Sequence, residues 1–215
     1  MTEASAPGLL ISLEGGEGAG KSTVLGAIQA RLSRLDRELV LVREPGGTPA
    51  GEAIRTVLLD PALSLAAETE LLLMFASRAQ LVRETVQPAL ARGAIVVSDR
   101  FTDASYAYQG GGRGIDGGRI AELERWAAGL RPDLTFLLDL DVAQGLARAR
   151  GRGEGCDRIE REREAFFERV RTAYRQRAAA EPGRFRLIDA SQPVEAVRAA
   201  VLQALEAWLA GRGLA

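Results

Sequence analysis

Leu9-Leu-Ile-Ser-Leu-Glu-Gly-Gly-Glu-Gly-Ala-Gly-Lys-Ser-Thr23 joins an apolar run to a glycine-dense turn and then to the start of a helical pattern. Gly15, Gly20, Lys21 and Ser22 fit the spacing Gly-x-x-x-x-Gly-Lys-Ser/Thr, a phosphate-binding loop. In such a loop backbone N–H groups face the phosphates, the lysine reaches β/γ oxygens and the hydroxyl serves Mg²⁺. Glycines at 15, 16, 18 and 20 permit positive φ and close approach to an anion, and the following helix N-terminus adds unpaired N–H groups.

Outward from this loop, apolar runs of strand length alternate with 3.6-period stretches, the pattern of a parallel sheet covered on both faces. The expected fold is α/β, a P-loop NTPase three-layer sandwich with a five-stranded parallel sheet and helices on both faces, in a single P-loop domain over 1–215. Strands are expected at 9–13, 39–42, 94–98, 134–140 and 185–188. Helices are expected after the loop, through Leu25, Ile28, Leu32 and Leu35, and over 51–59, 67–91, 117–129, 158–180 and 194–209. Gly110 to Gly114 reads as flexible loop, 148–160 as a mobile lid and 1–8 as a flexible N-terminus.

Composition restricts the chemistry. The chain of 215 residues has no histidine, which excludes imidazole bases, Ser-His-Asp triads and His-ligated metals. One cysteine, Cys156, excludes an intramolecular disulfide and a multi-cysteine zinc site. Lys21 is the sole lysine, kept where a compact ammonium is needed and a planar guanidinium would not fit. A net charge of −1 offers nucleic acid or an anionic membrane no global attraction, so neither is expected as a partner. The first residues carry no basic region and lead into a short apolar run, which points to the cytoplasm.

Two further constellations carry chemistry. Asp99 falls at a strand end, where a carboxylate could hold Mg²⁺ beside Ser22 or could simply cap a turn. Arg100 beside it suits a second phosphate. Arg148, Arg150 and Arg152, interleaved with Gly151, Gly153 and Gly155, suit either a solvated helix face or a loop that closes over a transferring phosphoryl group.

With these motifs in hand the chain resembles the bacterial thymidylate kinases nearly end to end. The likeness rests on Leu13 to Thr23, Arg43-Glu-Pro-Gly-Gly-Thr48, Arg78-Ala-Gln-Leu81, Asp99-Arg-Phe101, Tyr106 to Asp116, Asp157-Arg-Ile-Glu160 and Ile188 to Pro193. The resemblance implies ATP and dTMP as substrates, dTDP and ADP as products, Mg²⁺, and a homodimer formed through helices. It gives Gly15, Gly16, Glu17, Gly18, Ala19, Gly20, Lys21, Ser22 and Thr23 to the ATP phosphates, and Arg148, Asp189, Ser191 and Gln192 to adenine. For dTMP it implies Glu17 at the 3′-hydroxyl, Arg43 and Arg100 at the phosphate with Arg55 nearby, and Tyr108 against the deoxyribose. Arg78, Ser105 and Gln109 would hydrogen-bond thymine, with Glu44, Pro45 and Leu59 completing the set. Lys21, Asp99, Arg100 and a lid arginine, Arg150 or Arg152, would be catalytic, and Ser22 and Asp99 would serve the metal.

Two departures from the family pattern stand out. The phenylalanine that stacks on thymine normally precedes the arginine by four residues; here Met74 holds that place and Phe75 stands three before Arg78. Both offsets lie on the same helical side, and Phe75 is the expected stacking residue. One extra residue at Gly155-Cys156 shifts the lid register. Rival activities are another nucleotide or nucleoside kinase, a GTPase switch and a DNA-dependent ATPase. The switch needs an Asn/Thr-Lys-x-Asp element, which a chain with Lys21 alone cannot supply, and the ATPase lacks a basic strip with interleaved aromatics.

Overall fold

The computed structural model describes residues 7–151 and 157–214. Five parallel strands are ordered β2-β3-β1-β4-β5: β1 Leu9–Gly15, β2 Leu39–Arg43, β3 Ile95–Asp99, β4 Leu134–Asp139 and β5 Phe185–Asp189. The expected α/β architecture is therefore present, with the phosphate loop leaving the central strand. β1 extends to Gly15 because Glu14 and Gly15 continue its ladder against Leu137 and Leu138 of β4.

The helices are α1 Lys21–Leu32, α2 Pro49–Leu59, α3 Ala67–Leu81, α4 Gln87–Ala91, α5 Thr102–Ser105, α6 Gly117–Leu123, α7 Val142–Arg150, α8 Glu164–Ala180 and α9 Val194–Ala210. On one face of the sheet Val24, Ile28 and Leu32 of α1 and Val201, Leu205 and Trp208 of α9 bury against Ile11, Leu13 and Phe136. On the other, Leu10, Val42 and Val96 pack with Leu81, Val82 and Val86, and Leu137 packs with Phe166, Phe167, Val170 and Tyr174 of α8. Strands with apolar residues facing both ways need cover on both sides, which is why they read as continuous apolar runs.

Three local expectations change. The helix expected over 67–91 is continuous in course but contains a π-helical turn, Val82–Val86, directly before Pro88. Proline lacks an N–H and its ring crowds the carbonyl four residues back, so a widened turn there relieves both faults. The loop expected over 110–114 is helical as far as Gly112, within a π-helical segment Tyr106–Gly112 that continues α5. Its glycines serve close packing: a Cβ at Gly112 would lie 2.4 Å from the Phe166 ring, and one at Gly111 2.6 Å from Ala173 Cβ. Helix α8 begins at Glu164 and not at Arg158, because residues 157–163 are pinned first. Asp157 Oδ1 accepts from the N–H of Ile159 and Glu160 (2.8 Å each), and Arg158 N–H and Nε donate to Leu59 O (3.1 Å) and Leu58 O (2.8 Å).

The expected lid, 148–160, thus starts in the last turn of α7 and ends in this tied turn. Arg152, Gly153, Gly155 and Cys156 lie outside the described residues, as does most of the expected flexible N-terminus. Among the described residues no helix is long and apolar enough to cross a membrane.

Candidate active site

The phosphate loop turns on residues that only glycine tolerates. Gly15, Gly18 and Gly20 have φ of 148°, 68° and 89°, and Gly20 caps α1 in the left-handed region. Ser22 and Thr23 then stand exposed at the helix start, where the dipole favours an anion. Lys21 Nζ donates to Gly15 O and Gly16 O, 3.2 Å each. Desolvation, and then the charge of Arg100, bring its pKa down to about 8, so the ammonium is short of negative charge around it.

One contact here was not legible in the sequence. Helix α7 crosses the loop at Gly145, so closely that a Cβ at Gly145 would sit 2.4 Å from Glu17 O and one at Gly18 2.1 Å from Gly145 O. Replacing a helical glycine with alanine ordinarily stabilises; Gly145→Ala is expected instead to cost about 1–3 kcal/mol through overpacking. It should also raise the KM for ATP several-fold by shifting the loop. Thermal unfolding and steady-state kinetics check both, and an unchanged KM would mean that the loop does not depend on α7.

Beside the loop opens a polar cleft of about 480 Å³ lined by Glu17 to Thr23, Arg43, Glu44, Arg55, Asp99 and Arg100. Arg43 reaches Glu52 (2.9 Å) and Arg55 Nη1 donates to Pro45 O (2.9 Å). Burial, and then Arg43, press the Arg55 pKa below its usual value, the mark of cations gathered with too few anions. Asp99 has one buried oxygen, Oδ1, without a hydrogen-bond partner. Such an oxygen suits a hard cation bound next to a phosphate, and no group of three or more metal-ligating side chains gathers among the described residues.

The cleft continues into a cavity of about 190 Å³ lined by Glu17, Glu44, Pro45, Arg55, Leu59, Met74, Arg100, Ala104, Tyr108, Asp157, Ile159 and Glu160. Tyr108 donates to Glu17 Oε1 (3.0 Å), and Arg100 Nη2 reaches the same oxygen (3.1 Å) while its guanidinium lies 4.9 Å from the Tyr108 ring centroid. Burial raises the Tyr108 pKa above its usual value, so its hydroxyl stays a donor. The Glu44–Pro45 peptide at the rim is cis.

Not every residue expected around the base lines this cavity. Met74 lines this cavity, whereas Phe75 is buried with Leu71 and Ile120 in a separate cluster. Positions three and four before Arg78 share a side of α3 but diverge by about 100° around its axis, enough to send one to the cavity and the other to the core. Arg78, Ser105 and Gln109 are not among the lining residues. Arg78 is 1% exposed and each of its three nitrogens has a partner: Nε with Glu44 Oε2 (2.7 Å), Nη1 with Ser105 Oγ (3.0 Å) and Nη2 with Phe101 O (3.2 Å). Gln109 Nε2 donates to buried Glu70 (2.8 Å), which also pairs with Arg113 and Arg158, while Gln109 Oε1 is buried without a partner. Asp157, Ile159 and Glu160 enter the cavity although no role was expected of them. Their signal was the tied turn Asp157-Arg-Ile-Glu160 itself.

On the far side of the loop a groove of about 500 Å³ gathers Gly18 to Gly20, Thr23, Arg148, Ser191, Gln192 and Pro193. Arg148 Nη1 donates to Ala190 O (3.0 Å). Asp189 does not line the groove; it accepts from Ser191 N–H (2.9 Å), Ser191 Oγ (2.6 Å) and Gln192 Nε2 (2.9 Å), and so shapes the turn that does. Arg150 is the last residue of α7.

Comparison with known proteins agrees with this layout. The model of the family described as Thymidylate kinase matches residues 13–201. The chain is 57% identical to the thymidylate kinase of Pseudomonas putida strain W619 over 195 residues, covering 90% of this chain and 94% of that one. It is 54% identical to that of Alkalilimnicola ehrlichii over 210 residues, covering 95% and 97%. The crystal structure of thymidylate kinase from Ehrlichia chaffeensis superposes with a TM-score of 0.74 at 31% identity, covering 93% of this chain and 99% of that one.

Proposed function

The chain belongs to the thymidylate kinase family, and we propose on that premise that it moves the γ-phosphate of ATP to dTMP, giving dTDP and ADP for dTTP synthesis. The observation that carries this is a single cleft in which Glu17, Glu44, Arg55 and Arg100 line both the phosphate-loop side and the acceptor cavity. ATP lies with its adenine by Arg148, Ser191 and Gln192 and its phosphates on residues 15–23. The dTMP phosphate lies among Arg43, Arg55 and Arg100, its sugar against Tyr108 and Glu17, and its base beside Met74 in place of Phe75. Arg78, Ser105 and Gln109 shape the base pocket from behind through Glu44 and Glu70.

In the transfer an oxygen of the dTMP phosphate forms a bond to the γ-phosphorus as the bond to the β-phosphate oxygen breaks, and ADP leaves with that electron pair. The attacking phosphate is already anionic near neutral pH, so no general base is needed and a chain without histidine suffices. Catalysis is alignment and neutralisation of charge by Lys21 and Arg100. Mg²⁺ would be held by Ser22 and by the open oxygen of Asp99, directly or through water, and supplies charge neutralisation on the phosphates when bound.

Glu17 occupies the loop position next to the acceptor, so added positive charge comes from the lid. Replacing Arg150 and Arg152 separately with alanine is expected to lower kcat by about 10³ for whichever contacts the transferring group, with little change in either KM. Unchanged turnover in both variants would exclude lid catalysis. Exposed Leu72 on α3 and Trp126 on the adjoining segment, 58% and 83% exposed, favour a homodimer through these helices. Sedimentation of the wild type against Trp126→Arg tests it. The cytoplasm is the compartment in which the reaction takes place, and 148–160 acts as the lid of a single domain.

The deciding experiment is a steady-state panel of dTMP, dUMP, dCMP, dGMP and thymidine with ATP. Preference for dTMP is expected, and preference for any other acceptor would overturn the assignment of the cavity.

A further inference from the structure

Arg100 has φ of +68°, the sole positive φ outside glycine among the described residues. A side chain in the left-handed region is strained and persists only where its surroundings over-determine it. Each peptide group around Arg100 is indeed held. Its own N–H donates to Leu13 O (3.0 Å), its carbonyl accepts from Ser98 Oγ (2.6 Å), and the next N–H, of Phe101, donates to Glu14 Oε1 (2.7 Å). Glu14 Oε2 in turn accepts from Tyr174 OH (2.7 Å), and that hydroxyl also receives Arg100 Nη1 at 3.3 Å. Glu14 and Ser98 are both fully buried.

We propose that Glu14 and Ser98 are positioning residues for the acceptor phosphate: they hold the backbone of Arg100 left-handed, which turns its guanidinium into the cleft between Gly15 O, Glu17 and Tyr108. In an extended or right-handed conformation the side chain would leave the end of β3 in another direction, and the cleft would lose one of its lining cations. A titratable side chain inside the fully buried strand β1 is explained by this duty. Neither side chain needs to touch a substrate.

The inference rests on Arg100 as a ligand of the dTMP phosphate, and the test separates the two. Binding of dTMP, thymidine and ADP to the full chain is measured by calorimetry for wild type, Arg100→Ala, Glu14→Leu, Glu14→Gln and Ser98→Ala. Arg100→Ala is expected to weaken dTMP and spare thymidine; if it spares dTMP, the assignment of Arg100 fails and this inference with it. Where it does weaken dTMP, Glu14→Leu and Ser98→Ala are expected to weaken dTMP by between about tenfold and a hundredfold, with thymidine and ADP unchanged. Glu14→Gln, which keeps an acceptor for Phe101 N–H, should stay within about threefold of wild type. Retained dTMP affinity in Glu14→Leu and Ser98→Ala, or equal losses for all three ligands, overturns the positioning role. Should Glu14→Leu fail to fold, Ser98→Ala alone decides.

Discussion

Lys21→Ala is expected to lower kcat/KM by about 10³ while leaving thermal stability unchanged or slightly raised. The large effect follows from where the ammonium stands. Its Nζ is anchored at 3.2 Å to the carbonyls of Gly15 and Gly16, from where it would meet the β/γ oxygens whose charge grows during the proposed transfer. The absence of a stability cost follows from its electrostatics. Desolvation and Arg100 depress its pKa to about 8, so the free protein gains nothing from this charge, and its cost is recovered only when phosphate arrives. Lys21→Arg should restore little, since a planar fork cannot take the place of a point charge on a narrow stem. Steady-state rates with saturating dTMP, together with melting curves, check the pair of outcomes. Activity within tenfold of wild type would remove Lys21 from the transfer step.

The second large effect is on stability. Arg78→Ala is expected to destabilise the fold by about 3–5 kcal/mol, because it leaves a buried carboxylate without its counter-charge. Arg78 and Glu44 side chains are 1% and 3% exposed and meet at 2.7 Å, and the other Glu44 oxygen already lacks a partner. Burial raises the Glu44 pKa even with Arg78 present, and loss of the arginine raises it further. A carboxyl whose folded pKa lies above its unfolded value takes up protons on folding, so its penalty is absent at low pH and grows as pH rises toward the folded pKa. The Arg78→Ala deficit should therefore be smaller at pH 5 than at pH 8. Urea unfolding at the two pH values measures it, and adding Glu44→Gln should recover part of the loss. A deficit below about 1 kcal/mol at both would mean that Glu44 finds other relief. Because Glu44 adjoins Pro45 at the rim of the acceptor cavity, the same variant should weaken dTMP.

The phosphate loop was legible in the chain because its chemistry is local. A loop that binds phosphate through its own N–H groups needs particular backbone angles at consecutive positions, and those angles demand glycine at fixed spacing. Gly15, Gly18 and Gly20 adopt them. The acceptor half is assembled from α3, the segment after β3 and the turn before α8, so small angular differences decide contacts. Periodicity put Met74 and Phe75 on one side of a helix; packing against Ile120 took Phe75 into the core. The glycines at 111 and 112 looked like flexibility because sequence cannot distinguish a residue chosen for freedom from one chosen for lack of bulk. Phe166 and Ala173 of α8 fill the space a side chain would need.

By itself the sequence determined the parallel α/β architecture, through apolar runs and their alternation with helical periods, and the phosphate loop, through glycine and Lys21. It also excluded every mechanism that requires histidine. Only the tertiary structure decided that Arg78 locks Glu44 rather than lining the cavity, that Gly145 lets α7 rest on the phosphate loop, and that Glu14 and Ser98 converge on Arg100. The physical reason is distance along the chain. Backbone conformation is set by a residue and its neighbours, whereas burial and close approach depend on segments that meet only when the sheet has formed.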